Sequence, residues 1–280
     1  MVQILINSAA DTKYIYRLVV LYQSIRTFHK RIYIDLYLIN VERNDNLFNN
    51  IDKDEYLQIN HINVDIKDQT LINYCANIRC QLLDNSINNY DIVFWFDADS
   101  IVRRPLDNLF NIFKTYKMAF YMEPRIMSPI PMEYYVNILE NTHKKFKIRT
   151  GIIGFRNCKE SKMVIKRWNN EQFKIAIENW EWGQDQLFAY KYLIEIIKKF
   201  QNIDILYNLP SEYIDWGQNN FKKGRYSNDS FIWVGKGIYK DVEQYLDEEQ
   251  IFSNNNPLKY NYKNRKTYNK LCLGSGEVLK

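Results

Sequence analysis

Ile92-Val93-Phe94-Trp95-Phe96-Asp97-Ala98-Asp99-Ser100 is the stretch whose reading decides the fold. Five consecutive apolar residues read as a strand buried on both faces, the kind found in parallel sheets covered by helices. That strand delivers two carboxylates at its carboxyl end. Asp97 and Asp99 stand two residues apart, so an extended chain points both to one side, where they can converge on one cation. Ligands of open α/β sheets bind outside the carboxyl ends of the strands. A hard divalent metal held by one or two carboxylates completes its shell with water and substrate phosphates. The segment therefore predicts a metal–diphosphate site. The competing account makes the two acids helix caps for a segment starting near Pro105.

The same spacing occurs once more, in Asn49-Asn50-Ile51-Asp52-Lys53-Asp54-Glu55. No apolar strand feeds that pair, and its neighbours are polar, so it reads as a solvated loop or a helix start. Burying two acids beside a core strand is costly without compensation. Only Asp97 and Asp99 pose that problem, and a metal answers it.

An alternating β/α rhythm surrounds the central strand. Strands are expected at 2–7, 31–40, 57–66, 92–96 and 118–122, with helices at 14–28 and 71–83 and one beginning at Pro105, which suits a first helical turn. The second half carries Gly151-Ile152-Ile153-Gly154-Phe155, helices near 162–177 and 185–200, and short strands at 203–206 and 231–234. This order argues for an α/β fold with a mostly parallel central sheet and helices on both faces.

Length and composition fit a single large domain. The 280 residues are 46% hydrophobic, with only 9 Gly and 6 Pro and no linker-like stretch. No run is long or apolar enough to span a membrane. The opening Met1-Val2-Gln3-Ile4-Leu5-Ile6 reads as a strand and not as a signal peptide. Cys75, Cys80, Cys158 and Cys272 show neither metal-like nor disulfide-framework spacing, so a reducing cytoplasm is the expected location. Asn228-Asp229-Ser230 matches a glycosylation signal that would stay idle there.

The net charge of +5 is local. Residues 257–280 hold Lys259, Lys263, Arg265, Lys266, Lys270 and Lys280 against Glu277, with Tyr260, Tyr262 and Tyr268 interleaved. Such a tail suits a solvated terminus, or a weak contact with an anionic membrane surface, nucleic acid or an acidic acceptor. The remainder balances to zero, so no nucleic-acid partner is expected.

Several separated segments together resemble one family. They are Ala9-Ala10-Asp11-x-x-Tyr14, Tyr22-Gln23-Ser24-Ile25-Arg26, Ile78-Arg79-Cys80-Gln81-Leu82-Leu83, and Phe96-Asp97-Ala98-Asp99-Ser100 with Pro105-Leu106. Further along come Thr150-Gly151-Ile152-Ile153-Gly154-Phe155, Gly183-Gln184-Asp185-Gln186, Leu209-Pro210 and Trp233-Val234-Gly235-Lys236-Gly237. In this order the chain resembles nucleotide-sugar glycosyltransferases of the GT-A fold, with the layout of glycosyltransferase family eight and its glycogenin-like members. The resemblance spans residues 1–256 as one domain and leaves out the basic tail, 257–280.

The resemblance implies roles residue by residue. Ala10, Asp11 and Tyr14 match the loop that grips the nucleoside. Arg79 matches a donor-site arginine, whose planar fork suits phosphate or ribose oxygens; pairing with a structural carboxylate is the alternative. Asp97 and Asp99 match the metal pair for Mn2+ or Mg2+, with Asp97 also near the ribose. Gly151 matches a close-approach glycine beside donor and acceptor, a turn glycine being the plainer account. Asp185 and Gln186 match the motif that contacts the transferred sugar, although Asp also favours the first turn of a helix. Lys236, with Lys240, would neutralise the leaving diphosphate. The implied activity is metal-dependent transfer of a hexose-type sugar from a nucleoside diphosphate, UDP in the first instance, to a hydroxyl acceptor on an unknown glycan or protein, with retention of configuration.

Departures are visible too. The family places a histidine, its third metal ligand, just before the Gly-Lys segment, where this chain has Trp233 and Val234. The three histidines, His29, His61 and His143, lie elsewhere, which makes Asp215 an alternative ligand. Leu187 stands where the sugar-contact motif has a second acid, and Arg149 precedes Thr150-Gly151 in place of a small polar residue. Two other classes stay open. A haloacid-dehalogenase-type phosphatase also places Asp-x-Asp after an apolar strand, but lacks a matching downstream acidic pair here. A non-catalytic sugar-nucleotide-binding protein would not need the histidine.

Overall fold

The computed structural model describes residues 2–41, 51, 53–66, 68–102, 104–123, 147–181, 183–201, 203–210, 213, 215–216 and 231–234. Its first strand, β1 (Ile4–Asp11), runs four residues beyond the expected end and carries Ala10 and Asp11 to the sheet edge. Asp11 then caps a short 3-10 turn by accepting from the Tyr14 N–H at 3.2 Å. Helix α1 (Ile15–Phe28) follows, with Ile15, Leu18, Val19, Tyr22 and Ile25 buried at helical spacing. Strands β2 (Tyr33–Ile39) and β3 (Leu57–Ile62) come next, β3 ending before the expected Ile66.

One helix was expected over 71–83, and the chain forms two: α2 (Asp68–Asn77) and α3 (Arg79–Ser86). The break at Asn77–Ile78 needs neither Pro nor Gly, because the buried Asn77 side chain draws on partners outside the helix. Strand β4 (Ile92–Phe96) is buried at all five positions, as its composition requires. Each large side chain so buried stabilises the fold by roughly 1.5–3 kcal/mol. A short β5 (Ser100–Val102) follows, and α4 (Asp107–Asn111) begins two residues after Pro105.

Strands β6 (Met118–Glu123) and β7 (Lys147–Arg156) lead to α5 (Lys159–Gln172) and α6 (Gln184–Phe200). The expected strand at 203–206 is a 3-10 turn that passes into β8 (Leu206–Asn208). Finally come β9 (Asp215–Trp216) and β10 (Ile232–Val234).

The main sheet has seven strands in the order β3-β2-β1-β4-β7-β6-β8, and every neighbouring pair is parallel except those that involve β7. This is the mixed, mostly parallel α/β architecture expected. Alternation along β1 and β4 feeds two cores. Leu5, Val93 and Trp95 join the layer under α2, α3, α5 and α6, while Ile6, Phe94 and Phe96 join the layer under α1 and α4. A second sheet, β5-β10-β9, was not expected from the sequence. Among the described residues, no helix is long and apolar enough to cross a membrane.

Gly154 on β7 marks the tightest contact of the sheet. A Cβ there would meet the Phe94 ring at 2.5 Å and the Phe113 ring at 2.6 Å, so the position admits no side chain without displacing two core aromatics.

Candidate active site

The carboxyl end of β4 places Asp97 and Asp99 at the surface of the fold, both partly buried. Asp97 is fixed from three sides. Its backbone N–H donates to the Gly151 carbonyl at 2.7 Å, the Trp95 indole N–H donates to its Oδ1 at 2.8 Å, and Arg79 Nη1 lies 3.3 Å from the same oxygen. Trp95, a core residue read only as part of the apolar run, thus orients the first acid of the pair.

Arg79 opens α3 and is buried. It donates through Nε to the Ala76 carbonyl at 2.7 Å and through Nη1 to the Thr150 carbonyl at 2.6 Å. Its Nε also stands 3.1 Å from Asp185 Oδ2. Of the two alternatives raised for this arginine, the structure shows the pairing with carboxylates, Asp97 and Asp185. Nη2 is its one nitrogen without a hydrogen bond among the described residues.

A bulge in β7 makes this possible. Phe120 pairs with Ile153, but the next residue, Tyr121, pairs with Arg149, so 150–152 have no counterpart on β6. Extra residues in one strand re-aim its groups. Here the Thr150 carbonyl turns to Arg79, its Oγ1 donates to Asp185 Oδ2 at 2.7 Å, and the Gly151 carbonyl receives Asp97. Gly151 therefore lies in a bulged strand, not in a turn.

Asp185 sits in the first turn of α6 after Gly183, whose φ of +83° favours glycine. It is 1% exposed, and its Oδ1 makes no hydrogen bond among the described residues. Burial pushes its carboxyl above the usual range, against the pull of Arg79 and the Thr150 hydroxyl, and nearby Asp97 adds to the rise. Gln186 is half-buried beside it, and Leu187 is among the most exposed apolar side chains, at 63%.

At the end of β1, Ala10 and Asp11 are buried and Tyr14 half-buried, with the Arg17 guanidinium 5.0 Å from the Tyr14 ring centre. Burial raises the Asp11 carboxyl, and its cap bond to Tyr14 works the other way. Asp11 is thus already engaged in shaping the loop.

The residues at Asp97 and Asp99 fit a hard divalent cation. Two oxygen-bearing acids at a strand end are what Mg2+ or Mn2+ takes from a protein when phosphates and water supply the rest. Among the described residues no group of three His, Cys, Asp or Glu side chains could hold a metal. His29 serves the fold instead: its ring Nε2 accepts from the Leu106 N–H at 2.8 Å. Lys236, Lys240, His143, the Asn228 glycosylation signal, Cys272 and the tail 257–280 lie outside the described residues, as do the side chains of Asp215, Trp233 and Val234.

The other Asp-x-Asp pair departs from expectation. Asp52 lies outside the described residues, but Asp54 is no solvated loop acid. It pairs with Arg26 Nε and accepts from the Tyr22 hydroxyl at 2.8 Å and the Tyr56 N–H at 2.9 Å. The side chains of Asn77, Asn73, Trp95 and Thr150 are the site residues that sequence reasoning did not single out for a role. Only the one-turn spacing of Asn73 and Asn77 on one helix face signals any of them.

No family model matches the sequence, and no curated protein matches it. Among solved structures, that of the galactosyltransferase LgtC in complex with donor and acceptor sugar analogs matches with a TM-score of 0.54 and 15% identity, over 84% of this chain and 88% of that one. The apo-form glycosyltransferase GlyE of Streptococcus pneumoniae TIGR4 matches with a TM-score of 0.51 and 17% identity, over 86% of this chain and 56% of that one. This chain therefore has the GT-A fold of the glycosyltransferases.

Proposed function

We propose that this protein is a metal-dependent glycosyltransferase that moves a hexose-type sugar from a UDP-sugar to an acceptor hydroxyl, with retention. One observation carries the proposal: on a glycosyltransferase fold, Arg79 joins the strand-end acid Asp97 to the helix-borne acid Asp185 across a bulge in β7. A cation alone would need Asp97 and Asp99. A phosphatase of the class weighed above would need a downstream acidic pair, which the sequence does not offer.

Each residue has a task in this scheme. Ala10, Asp11 and Tyr14 shape the nucleoside pocket, the Tyr14 ring lying against the base. Asp97 and Asp99 would hold Mn2+ or Mg2+, which when bound neutralises charge developing on the departing diphosphate. Arg79, whose Nη2 makes no hydrogen bond among the described residues, would support the same oxygens. Asp185, through its buried Oδ1, accepts from a sugar hydroxyl and orients the ring, with Gln186 beside it and Gly151 leaving room for the acceptor. Lys236 assists diphosphate departure. No residue is assigned as a covalent nucleophile, so the acceptor hydroxyl attacks from the face the diphosphate leaves.

The test is UDP release from a panel of UDP-sugars with Mn2+ or Mg2+, for the wild type and Asp99→Asn. Turnover with at least one sugar, lost in Asp99→Asn, is the expected result. Binding without turnover would make the chain a sugar-nucleotide-binding protein, and cleavage of a phosphomonoester would favour the phosphatase. An inverted product by NMR would reject retention alone.

A further inference from the structure

Arg79 and Asp185 belong to helices far apart in the chain, and a third side chain, Asn77, ties their helices together. Asn77 ends α2 and is 0% exposed. Its Oδ1 accepts from the Asp185 backbone N–H at 3.0 Å, and its Nδ2 donates to the carbonyls of Glu181 at 3.1 Å and Asn73 at 2.7 Å. One turn earlier on α2, Asn73 Nδ2 donates to the Trp180 carbonyl at 2.6 Å. Trp180, itself 1% exposed, stacks on Tyr74 of the same helix with ring centres 5.5 Å apart.

The first N–H groups of a helix have no intrahelical acceptor, and a side chain just before the helix usually supplies one. In α6 that position is Gly183, which has no side chain to offer. The acceptor comes instead from α2, two residues before Arg79. The start of α6 is thereby referenced to the α2–α3 break, so the acid and the arginine share one anchor.

We propose that Asn73 and Asn77 form a positioning clasp for the glycosyl-transfer site, fixing Asp185 against Arg79 and, through Arg79, the presentation of Asp97. Neither asparagine is given a substrate contact; both act through the backbone of Trp180, Glu181 and Asp185. The inference rests on the transferase reading above, and part of its test does not.

Asn77→Ala and Asn73→Ala are compared with the wild type in three measurements: steady-state UDP release, UDP affinity by calorimetry, and amide hydrogen exchange by mass spectrometry. For Asn77→Ala, kcat should fall about 10–100-fold, the scale of a misplaced catalytic group. UDP affinity should fall much less than kcat, because the nucleoside loop is separate and only the diphosphate contacts of Arg79 and Asp97 are loosened, whereas the placement of Asp185 acts in the transition state. Exchange in the segment 181–187 should rise about tenfold while β1 and β4 keep their protection. Asn73→Ala should show the same pattern at smaller amplitude. Unchanged kcat with unchanged exchange overturns the clasp, and so does a parallel loss of kcat, UDP affinity and melting temperature, which would mark a merely structural role. A wild type that turns over no UDP-sugar rejects the transferase reading. The exchange result then still decides whether Asn77 anchors α6.

Discussion

Two Asp-x-Asp segments of this chain each meet a buried arginine, and the outcomes differ. At Asp54, the carboxylate receives Arg26, a tyrosine hydroxyl and a backbone N–H, while Arg26 spends its remaining nitrogens on the carbonyls of His29, Ile32 and Tyr56. Burial alone would raise this acid, but the hydrogen bond from Arg26 and the others outweigh it and hold Asp54 below the usual range. At Asp185 the balance tips the other way: burial wins over Arg79 and Thr150. The first cluster satisfies its charges internally and serves the fold. The second leaves Asp185 Oδ1 and Arg79 Nη2 without hydrogen bonds among the described residues, as a site for an outside ligand requires.

Breaking each arginine separately should expose that difference. Arg79→Ala should lower kcat/KM for UDP release by about 10²–10³, the scale for removing one preorganised donor from a charged transition state. Arg79→Lys should recover little of it, since an ammonium cannot bridge Asp97, Asp185 and the Thr150 carbonyl as a fork does. Retained activity in Arg79→Ala would dissolve the contrast between the two clusters.

Asp54→Ala should act on stability instead. It leaves Arg26, whose side chain is 10% exposed, without its carboxylate, and the cost should be about 3 kcal/mol, the low end for a broken buried pair, because Asp54 itself is partly hydrated. Urea unfolding measures this, and turnover per folded molecule should match the wild type. Gly154→Ala is the next step down, at about 1–3 kcal/mol, because its Cβ would press on Phe94 and Phe113.

The smallest effect is one of pH, with opposite signs at the two acids. Asp54 has a lowered native pKa, so its stabilisation is present above the ordinary value of 3.8 and is lost as pH falls through the native value. Asp185 has a raised native pKa. Its unfolded form ionises first as pH rises past 3.8, so it costs stability progressively until the native carboxyl also ionises. Against the wild type, Asp54→Asn should therefore flatten the acid limb of the stability profile, and Asp185→Asn should gain relative stability as pH rises from 3 to 7. Denaturation midpoints across that range would check both signs.

Much of the frame was legible because it is written locally. The apolar run at 92–96, the helical spacing of Ile15 to Ile25 and the carboxylates after Phe96 each declare themselves within a dozen residues. Asp97 was legible for the same reason, whereas Arg79 and Asp185 became candidates only through the family resemblance. What joins them was not. The bulge at 150–152 depends on how β6 and β7 pair, the α2–α3 break depends on Asn77 finding Glu181 and Asp185, and β5 depends on a partner strand at Ile232–Val234. Asp54 was misread because its three donors come from α1 and from two residues downstream. Short-range pattern carries none of these pairings.

The reversed strand β7 also has a consequence for the order in which the molecule assembles. β1 and β2 join across a single helix, whereas β7 meets β4 from about 60 residues away and so closes a loop roughly twice as long. Loop closure of that size favours a folding nucleus in β1, α1 and β2, with the Thr150–Gly151 bulge formed after the transition state. Conservative substitutions in Leu18 or Ile34 should then slow refolding, while Thr150→Ser should mainly speed unfolding. The acids would come together last, on a sheet already half built.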